Sequence, residues 1–187
     1  MTKLIEFDTA RLRLRQWRIA DREPFAEINA DPRVMACFPS RLDRTASDAM
    51  AERIQSLIDE RGWGFWATEL KSTGEFIGFV GLHVPIPQLP FAPCIEIGWR
   101  LAYRHWGRGY ATEAARSTLR IGFDELNLSE IVSFTAVANT RSRAVMERLG
   151  MLPEAETFQH PSLPTGHPLR EHCLYRLSKA RWKNHAV

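Results

Sequence analysis

The sequence predicts a mixed α/β (α+β) fold, a central and largely antiparallel sheet flanked by helices, in a single domain spanning 1–187 with its core at about 9–180. Three observations carry that prediction. Several short runs alternate apolar and polar residues or are rich in β-branched ones, the period of strands. Amphipathic helical stretches separate these runs, with no repeat or linker among them. One strand passes through a glycine-rich turn into a helix and then a further strand, a unit that forms a right-handed parallel crossover.

In chain order, "RLRLRQW" (Arg11 to Trp17) alternates as a strand with one buried face. "ADREPFAEINADPRVM" follows as a polar-capped helical stretch with Phe25, Ile28 and Met35 on one side. "DRTASDAMAERIQSLIDERG" is a clearer helix, with Met50, Ile54, Leu57 and Ile58 in a stripe and Gly62 as its stop. "GFWATEL" and "EFIGFVGLHV" read as a hairpin about "KSTG". Pro85, Pro87, Pro90 and Pro93 then exclude helix and central strand, so 84–93 is a stiff loop. "CIEIGWRLA" resumes an alternating strand, and the glycine turn opens a helix with Ala111, Ala115, Leu119, Phe123 and Leu126 on one side. "EIVSFTAVA" is a buried strand, "NTRSRAVMERLGM" a short helix from Asn139 to a stop at Gly150, and two strands close the chain, the last being "CLYRLS" after a proline-rich loop at 160–172.

Composition narrows the function classes. The 44% apolar and 25% charged content is that of an ordinary globular domain. A net charge of +3 favours anionic ligands but is too small and scattered for a nucleic-acid binder. The aromatics Trp63, Phe65, Trp66, Phe76 and Phe79 follow strand alternation rather than a basic face and belong mostly to the core. Cys37, Cys94 and Cys173 are dispersed, which argues against a disulfide framework and for a reducing compartment. With no apolar run of membrane-spanning length and no signal-peptide core, a cytoplasmic location without membrane association is expected.

The stretch "RHWGRGYATEAARSTLRIGF" raises the question of function. A glycine turn that opens a helix offers free backbone N–H groups at the positive end of the helix dipole, a site suited to phosphate. A tight turn with solvated arginines is the plainer alternative. Tyr110 and Ala111, which stand where a Walker loop needs Lys and Ser or Thr, argue against that loop, and the place past mid-chain after hairpins argues against a Rossmann loop.

From "EIGWRLA" through "WGRGYATEA" to "NTRSRAVMERLGM", the chain resembles the acetyl-CoA core of the GNAT superfamily of N-acetyltransferases, in the RimJ/RimL-like branch. The likeness extends to element order over nearly the whole chain. The superfamily loop, Gln/Arg-x-x-Gly-x-Gly/Ala, fits here in two registers: Arg104, Gly107 and Gly109, or Trp106, Gly109 and Ala111. The second is preferred, because it places its last small residue in the first helical turn. The resemblance implies two central parallel strands that splay to admit the pantetheine arm. Backbone groups of Trp99, Arg100 and Leu101 would pair with that arm, and N–H groups from Trp106, Gly107, Arg108, Gly109, Tyr110, Ala111 and Thr112 would hold the pyrophosphate. It implies acetyl transfer from acetyl-CoA, as cosubstrate and without a metal, to an amine acceptor, either a small molecule or a protein N-terminus. Homodimers are common in the family. A non-catalytic acyl-CoA-binding sensor on the same scaffold is the alternative.

Asn139 and Ser142, at the entry to the second helix of the motif, read on their own as a helix cap. By resemblance Asn139 contacts CoA and Ser142 lies near the thioester sulfur. Many members carry a Tyr four residues past that Ser as proton donor; here the position is Met146, which leaves Ser142 or water to protonate the thiolate. The attacking amine must lose a proton, and Glu96, between Ile95 and Ile97, is the best-placed carboxylate; a solvent-facing or sheet-paired Glu is its plainer reading. His83 is a candidate auxiliary base. His160, His167 and His172 with Cys173 match no zinc spacing.

Overall fold

The computed structural model describes residues 3–185. One eight-stranded sheet runs in the order β1-β2-β3-β4-β5-β6-β8-β7. Its strands are β1 (Phe7–Asp8), β2 (Leu12–Arg15), β3 (Phe65–Leu70), β4 (Phe76–His83), β5 (Glu96–Leu101), β6 (Glu130–Ala136), β7 (Leu152–Gln159) and β8 (Glu171–Ser178). All neighbours are antiparallel except β5 and β6. The helices are α1 (Arg22–Ala30), α2 (Arg44–Arg61), α3 (Tyr110–Arg120), α4 (Thr140–Arg148) and α5 (Lys179–His185). The expected mixed fold and its parallel crossover are both present.

Each face of the sheet has its own core. On one side Ile97, Leu101, Ala114, Ala115, Leu119 and Phe123 pack together, which joins α3 to β5. On the other, Phe25, Ile28, Ile54, Ile58, Phe76 and Phe79 join α1 and α2 to the β3–β4 hairpin. The α2 stripe follows from sequence spacing. Asp43 accepts the N–H of Ala46 at 2.8 Å to open this helix, and Gly62 ends it at φ 85°.

Three local expectations change. The stretch from Ala20 to Met35 is not one helix: α1 ends at Ala30 with Asp31 extended, and a 3-10 turn follows at Met35–Cys37. Pro32 explains the break, since a residue before proline is driven from helical dihedrals. Helix α3 tightens to Tyr110–Arg120 and continues as a π-helical turn at Ile121–Glu125. β1 and α5 are additional elements with too few residues to show a period.

Candidate active site

The parallel strands β5 and β6 hold register at one pair, Glu96 with Val132, where the Val132 N–H donates to the Ile95 carbonyl at 2.9 Å. One step on, the Ser133 hydroxyl donates to the Ile97 carbonyl at 2.9 Å, and beyond that the strands diverge. Ser133 thus satisfies the first carbonyl past the fork, which composition alone did not mark.

Strand alternation decides which β5 backbone groups face the opening. Arg100 pairs with Phe79, and the Ala102 N–H donates to Ile77 of β4, so even-numbered residues direct their polar groups toward β4. Odd-numbered residues face the gap. The expectation that Trp99, Arg100 and Leu101 all present backbone groups there is therefore corrected: Arg100 does not, and the Leu101 carbonyl is taken by the Trp106 indole N–H at 2.8 Å. Trp99 keeps both of its groups on the open side, and Leu101 its N–H.

At the end of β5 a 3-10 turn, Tyr103–His105, leads to Gly107 at φ 74° and Gly109 at φ 80°, both in the left-handed region that glycine adopts without steric cost. The first helical bond returns from the Glu113 N–H to the Gly109 carbonyl at 3.0 Å. The N–H groups of Tyr110, Ala111 and Thr112 thus have no acceptor within α3, and no side chain caps Gly109. The Trp106 N–H is engaged by the Tyr103 carbonyl at 3.0 Å, which removes it from the expected Trp106-to-Thr112 set. Arg108 is exposed and does not line the cavity; its carbonyl accepts from Arg11 at 3.0 Å. Arg104 is committed to Glu75 at 2.6 Å, which is consistent with the register that begins at Trp106.

The acidic residue of this turn is neutralised in place. Burial pushes the Glu113 carboxyl up, but hydrogen bonds from Thr9 and from the backbone and side chain of Arg11 outweigh it and leave its pKa lowered. Arg116, Arg141 and Arg148 line the same opening, with Arg141 stacked 5.2 Å from the Trp106 ring. The mouth is cationic, and those arginines were not singled out by motif.

The fork, the glycine turn and the N-terminus of α4 enclose a cavity of about 1270 Å³. Asn139 caps α4 with its Oδ1 on the Ser142 N–H at 3.2 Å and donates from Nδ2 to Thr135 at 2.9 Å. Its capping role is realised, and Ser142 lines the cavity from the first turn of α4.

Glu96, Gly98 and Arg100 share the face of β5 that looks toward α1 and α2, and all three line the cavity. Burial pushes the Glu96 carboxyl up to about 8. His83 is the cross-strand partner of Glu96 and stacks on Phe65 at 5.2 Å; burial, then Arg61 and Arg53, lower its pKa. Arg100 places its guanidinium 4.1 Å from the Phe38 ring and within 2.6 Å of Asn29 Oδ1, and burial lowers its pKa to about 10. Sequence reasoning had assigned Arg100 a backbone role; strand parity is the signal that puts its side chain with Glu96. On the opposite wall His160 and His172 lie 4.8 Å apart beside Phe134 and Phe158. Among the described residues no group of three or more His, Cys, Asp or Glu side chains is gathered for a metal ion, and no helix is long and apolar enough to cross a membrane.

Residues 11–152 match the family described as the acetyltransferase (GNAT) domain. The Bacillus subtilis protein YkkB is 37% identical over 153 residues, 80% of this chain and 85% of that one. The FsC-acetyl coenzyme A-N(2)-transacetylase of Aspergillus fumigatus is 32% identical over 183 residues, 93% of this chain and 76% of that one. The crystal structure of an acetyltransferase from Agrobacterium tumefaciens superposes with a TM-score of 0.75 at 30% identity, covering 95% of this chain and 96% of that one. Sequence match, shared fold and forked parallel strands agree, and the chain belongs to the GNAT acetyltransferase family.

Proposed function

We propose that the protein transfers an acetyl group from acetyl-CoA to a primary amine, on a small molecule or a protein N-terminus, by direct attack in a ternary complex. The observation that carries this reading is the fork itself. β5 and β6 part immediately after Glu96, and the gap leads from a carboxyl of raised pKa to a helix N-terminus with unpaired N–H groups.

The residues present fit acetyl-CoA. The N–H groups of Tyr110, Ala111 and Thr112, with the bare backbone of Gly107 and Gly109, suit a pyrophosphate. Trp99, with the Leu101 N–H, offers strand-like hydrogen bonds to an extended amide-bearing arm. Glu96 takes a proton from the ammonium, and the amine nitrogen attacks the thioester carbonyl carbon as the carbon–sulfur bond breaks. The departing thiolate takes a proton from Ser142 or from water, and that donor is restored by the second proton, which the nitrogen sheds as the amide forms. Most of the acceleration then comes from holding amine and thioester together and from fixed N–H dipoles.

Thiol release from acetyl-CoA with a panel of amines tests the reaction; tight CoA binding with no release for any amine would favour a sensor instead. Gly109→Val tests the cradle. Its φ of 80° strains a β-branched residue, and an added Cβ would lie 3.5 Å from Arg11 Nη2. CoA affinity is expected to fall ~10- to 100-fold, as for the loss of one or two charge-assisted hydrogen bonds; unchanged affinity sinks the loop assignment.

A further inference from the structure

Arg100 carries a charge that no carboxylate among the described residues neutralises. Its side chain is buried, 8% exposed, on the cavity-facing side of β5. Nη1 donates to Asn29 Oδ1 at 2.6 Å and lies 3.6 Å from Met50 Sδ, whereas Nε is buried with no partner. Asn29 is itself held, donating from Nδ2 to the buried Ser47 hydroxyl at 2.9 Å, so its oxygen stays turned toward the guanidinium. The rings of Phe38 and Phe79, at 4.1 and 5.6 Å, complete the surroundings. Ring faces attract a cation but do not cancel its charge. The Nε–Nη2 edge, the fork that suits a planar oxyanion, has no acceptor among the described residues.

The path from this cation to Glu96 is apolar. Phe79, the cross-strand partner of Arg100, lies 4.6 Å from Phe65, and Phe65 lies 5.2 Å from His83, the partner of Glu96. Between the two charged residues stands Gly98, which puts no side chain into the space. Four strand steps separate the Cα atoms of Glu96 and Arg100, about 13 Å at ~3.3 Å per residue. The two charges do not meet, and a molecule lying along β5 reaches both.

We propose that the amine acceptor carries a carboxylate that Arg100 binds, with an apolar body on the Phe79–Phe65 floor that brings its amine to Glu96. This specifies the acceptor class for the acetyltransferase reading above and rests on it. The phosphates of CoA are the other anions at hand. Their proposed cradle opens at the N-terminus of α3, which packs on the opposite face of β5, so the anion at Arg100 belongs to the acceptor.

The test uses matched amines, 4-(aminomethyl)benzoate and 4-(aminomethyl)benzamide, with thiol release from acetyl-CoA as readout. The wild-type protein is expected to prefer the acid by ~100-fold in kcat/KM, since an analogue that leaves a buried polar group unpaired is rejected strongly. Arg100→Met should bring that ratio to about one, chiefly through KM of the acid. Arg100→Lys, which keeps the charge without the fork, should hold it at ~10; this variant carries the test if Arg100→Met does not fold. No preference in the wild type, a preference unchanged in the variants, or a matching loss of CoA affinity overturns the proposal.

A binding readout separates this proposal from the reaction. With CoA present, 4-methylbenzoate should raise the unfolding temperature of the wild type but not of Arg100→Met, and 4-methylbenzamide should raise neither. That pattern in a protein that acetylates no amine would sink the reaction and keep the carboxylate site. Turnover of amines with no shift from 4-methylbenzoate would do the reverse.

Discussion

The sheet buries an arginine twice, and the two are treated oppositely. At the β2–β3 end, Arg15 is 3% exposed and meets Asp21 through Nη1 and Nη2 at 2.7 and 2.9 Å and Glu69 through Nε at 2.6 Å. At β5, Arg100 and Glu96 stand on one face of one strand with Gly98 between them and make no ion pair. Adjacent strands lie ~4.8 Å apart, so a side chain on β2 reaches one on β3, whereas positions four apart along a strand are beyond reach. The titration behaviour follows. Burial works against the Arg15 charge, yet the hydrogen bonds it donates to Asp21 and Glu69 outweigh it and its pKa is raised. Burial acts unopposed on Glu96 and Arg100 and moves both toward their neutral forms, to about 8 and about 10. Charges that meet hold the fold together; charges held apart await a ligand that supplies the missing partners.

Removing each arginine breaks that comparison most directly. Arg15→Met strips the buried Asp21 of its cation and leaves Glu69 only the exposed Arg18 at 3.0 Å, and should cost ~3–5 kcal/mol of stability, a fall of the unfolding midpoint on the order of 10 °C in a chain of this length. The same change at Arg100 removes a charge with no counter-ion and should leave stability within ~1 kcal/mol or raise it. Urea unfolding of both variants at neutral pH measures the difference. Equal losses would mean that Arg100 is as fully compensated as Arg15.

Glu96→Gln acts on the open region alone. Loss of a general base lowers kcat/KM by ~100-fold or more. Below a pKa of about 8 the carboxylate fraction falls tenfold per pH unit, so wild-type kcat/KM should climb with pH and level near 8, whereas in the variant the break near 8 should vanish and the climb continue toward the pKa of the acceptor ammonium. The sign for stability is opposite. A carboxyl whose folded pKa lies above its unfolded value of ~4.3 holds more protons when folded, so stability falls as pH rises from there toward 8 and then levels. The variant should therefore be less active and more stable than wild type at pH 8.5, by a few degrees in midpoint. His83 on β4, Arg53 and Arg61 on α2, and Cys94 face the same region, and the difference between wild type and variant isolates Glu96 from them.

The sequence made the frame of this site legible wherever periodicity was strong. Alternation in "EIGWRLA" identified β5 and placed Glu96 on it, and the spacing of Ala115, Leu119 and Phe123 identified the buried side of α3. Resemblance then suggested what the glycine turn holds. Neither contained the pairing that turns the Arg100 backbone toward β4, because that needs the register of Phe79 with Arg100; the alternation that puts its side chain on the face of Glu96 was already in the strand. Asn29, Phe38 and Met50, which surround the guanidinium, lie fifty or more residues away in the chain, on α1, after the 3-10 turn at Met35–Cys37 and on α2. Non-local contacts of that kind leave no local pattern. The Trp106 N–H was assigned to the cradle for a similar reason: nothing in "RHWGRG" reveals the 3-10 turn that uses it.

Gly98→Ala gives the smallest effect and the sharpest view of the space between the two charges. Gly98 is not among the glycines at positive φ, so its backbone accepts alanine without strain. An added Cβ would lie 3.2 Å from Phe65 Cε1, which makes the ring shift by a few tenths of an ångström, and 3.9 Å from Glu96 Oε1. Overpacking by one methyl should cost about 1 kcal/mol of stability. Its larger consequence falls on the acceptor, whose path from Arg100 to Glu96 it narrows. KM for the amine should rise ~10-fold while kcat changes by less than threefold, the signature of lost binding shared by ground and transition states. CoA affinity should stay as in wild type, because the methyl enters the α1/α2 face and the backbone groups of Trp99 lie on the edge toward β6. A variant in which kcat falls and KM holds would instead place Gly98 at the reacting carbonyl, and the separation of Glu96 from Arg100 would then be incidental to the strand rather than the measure of the acceptor.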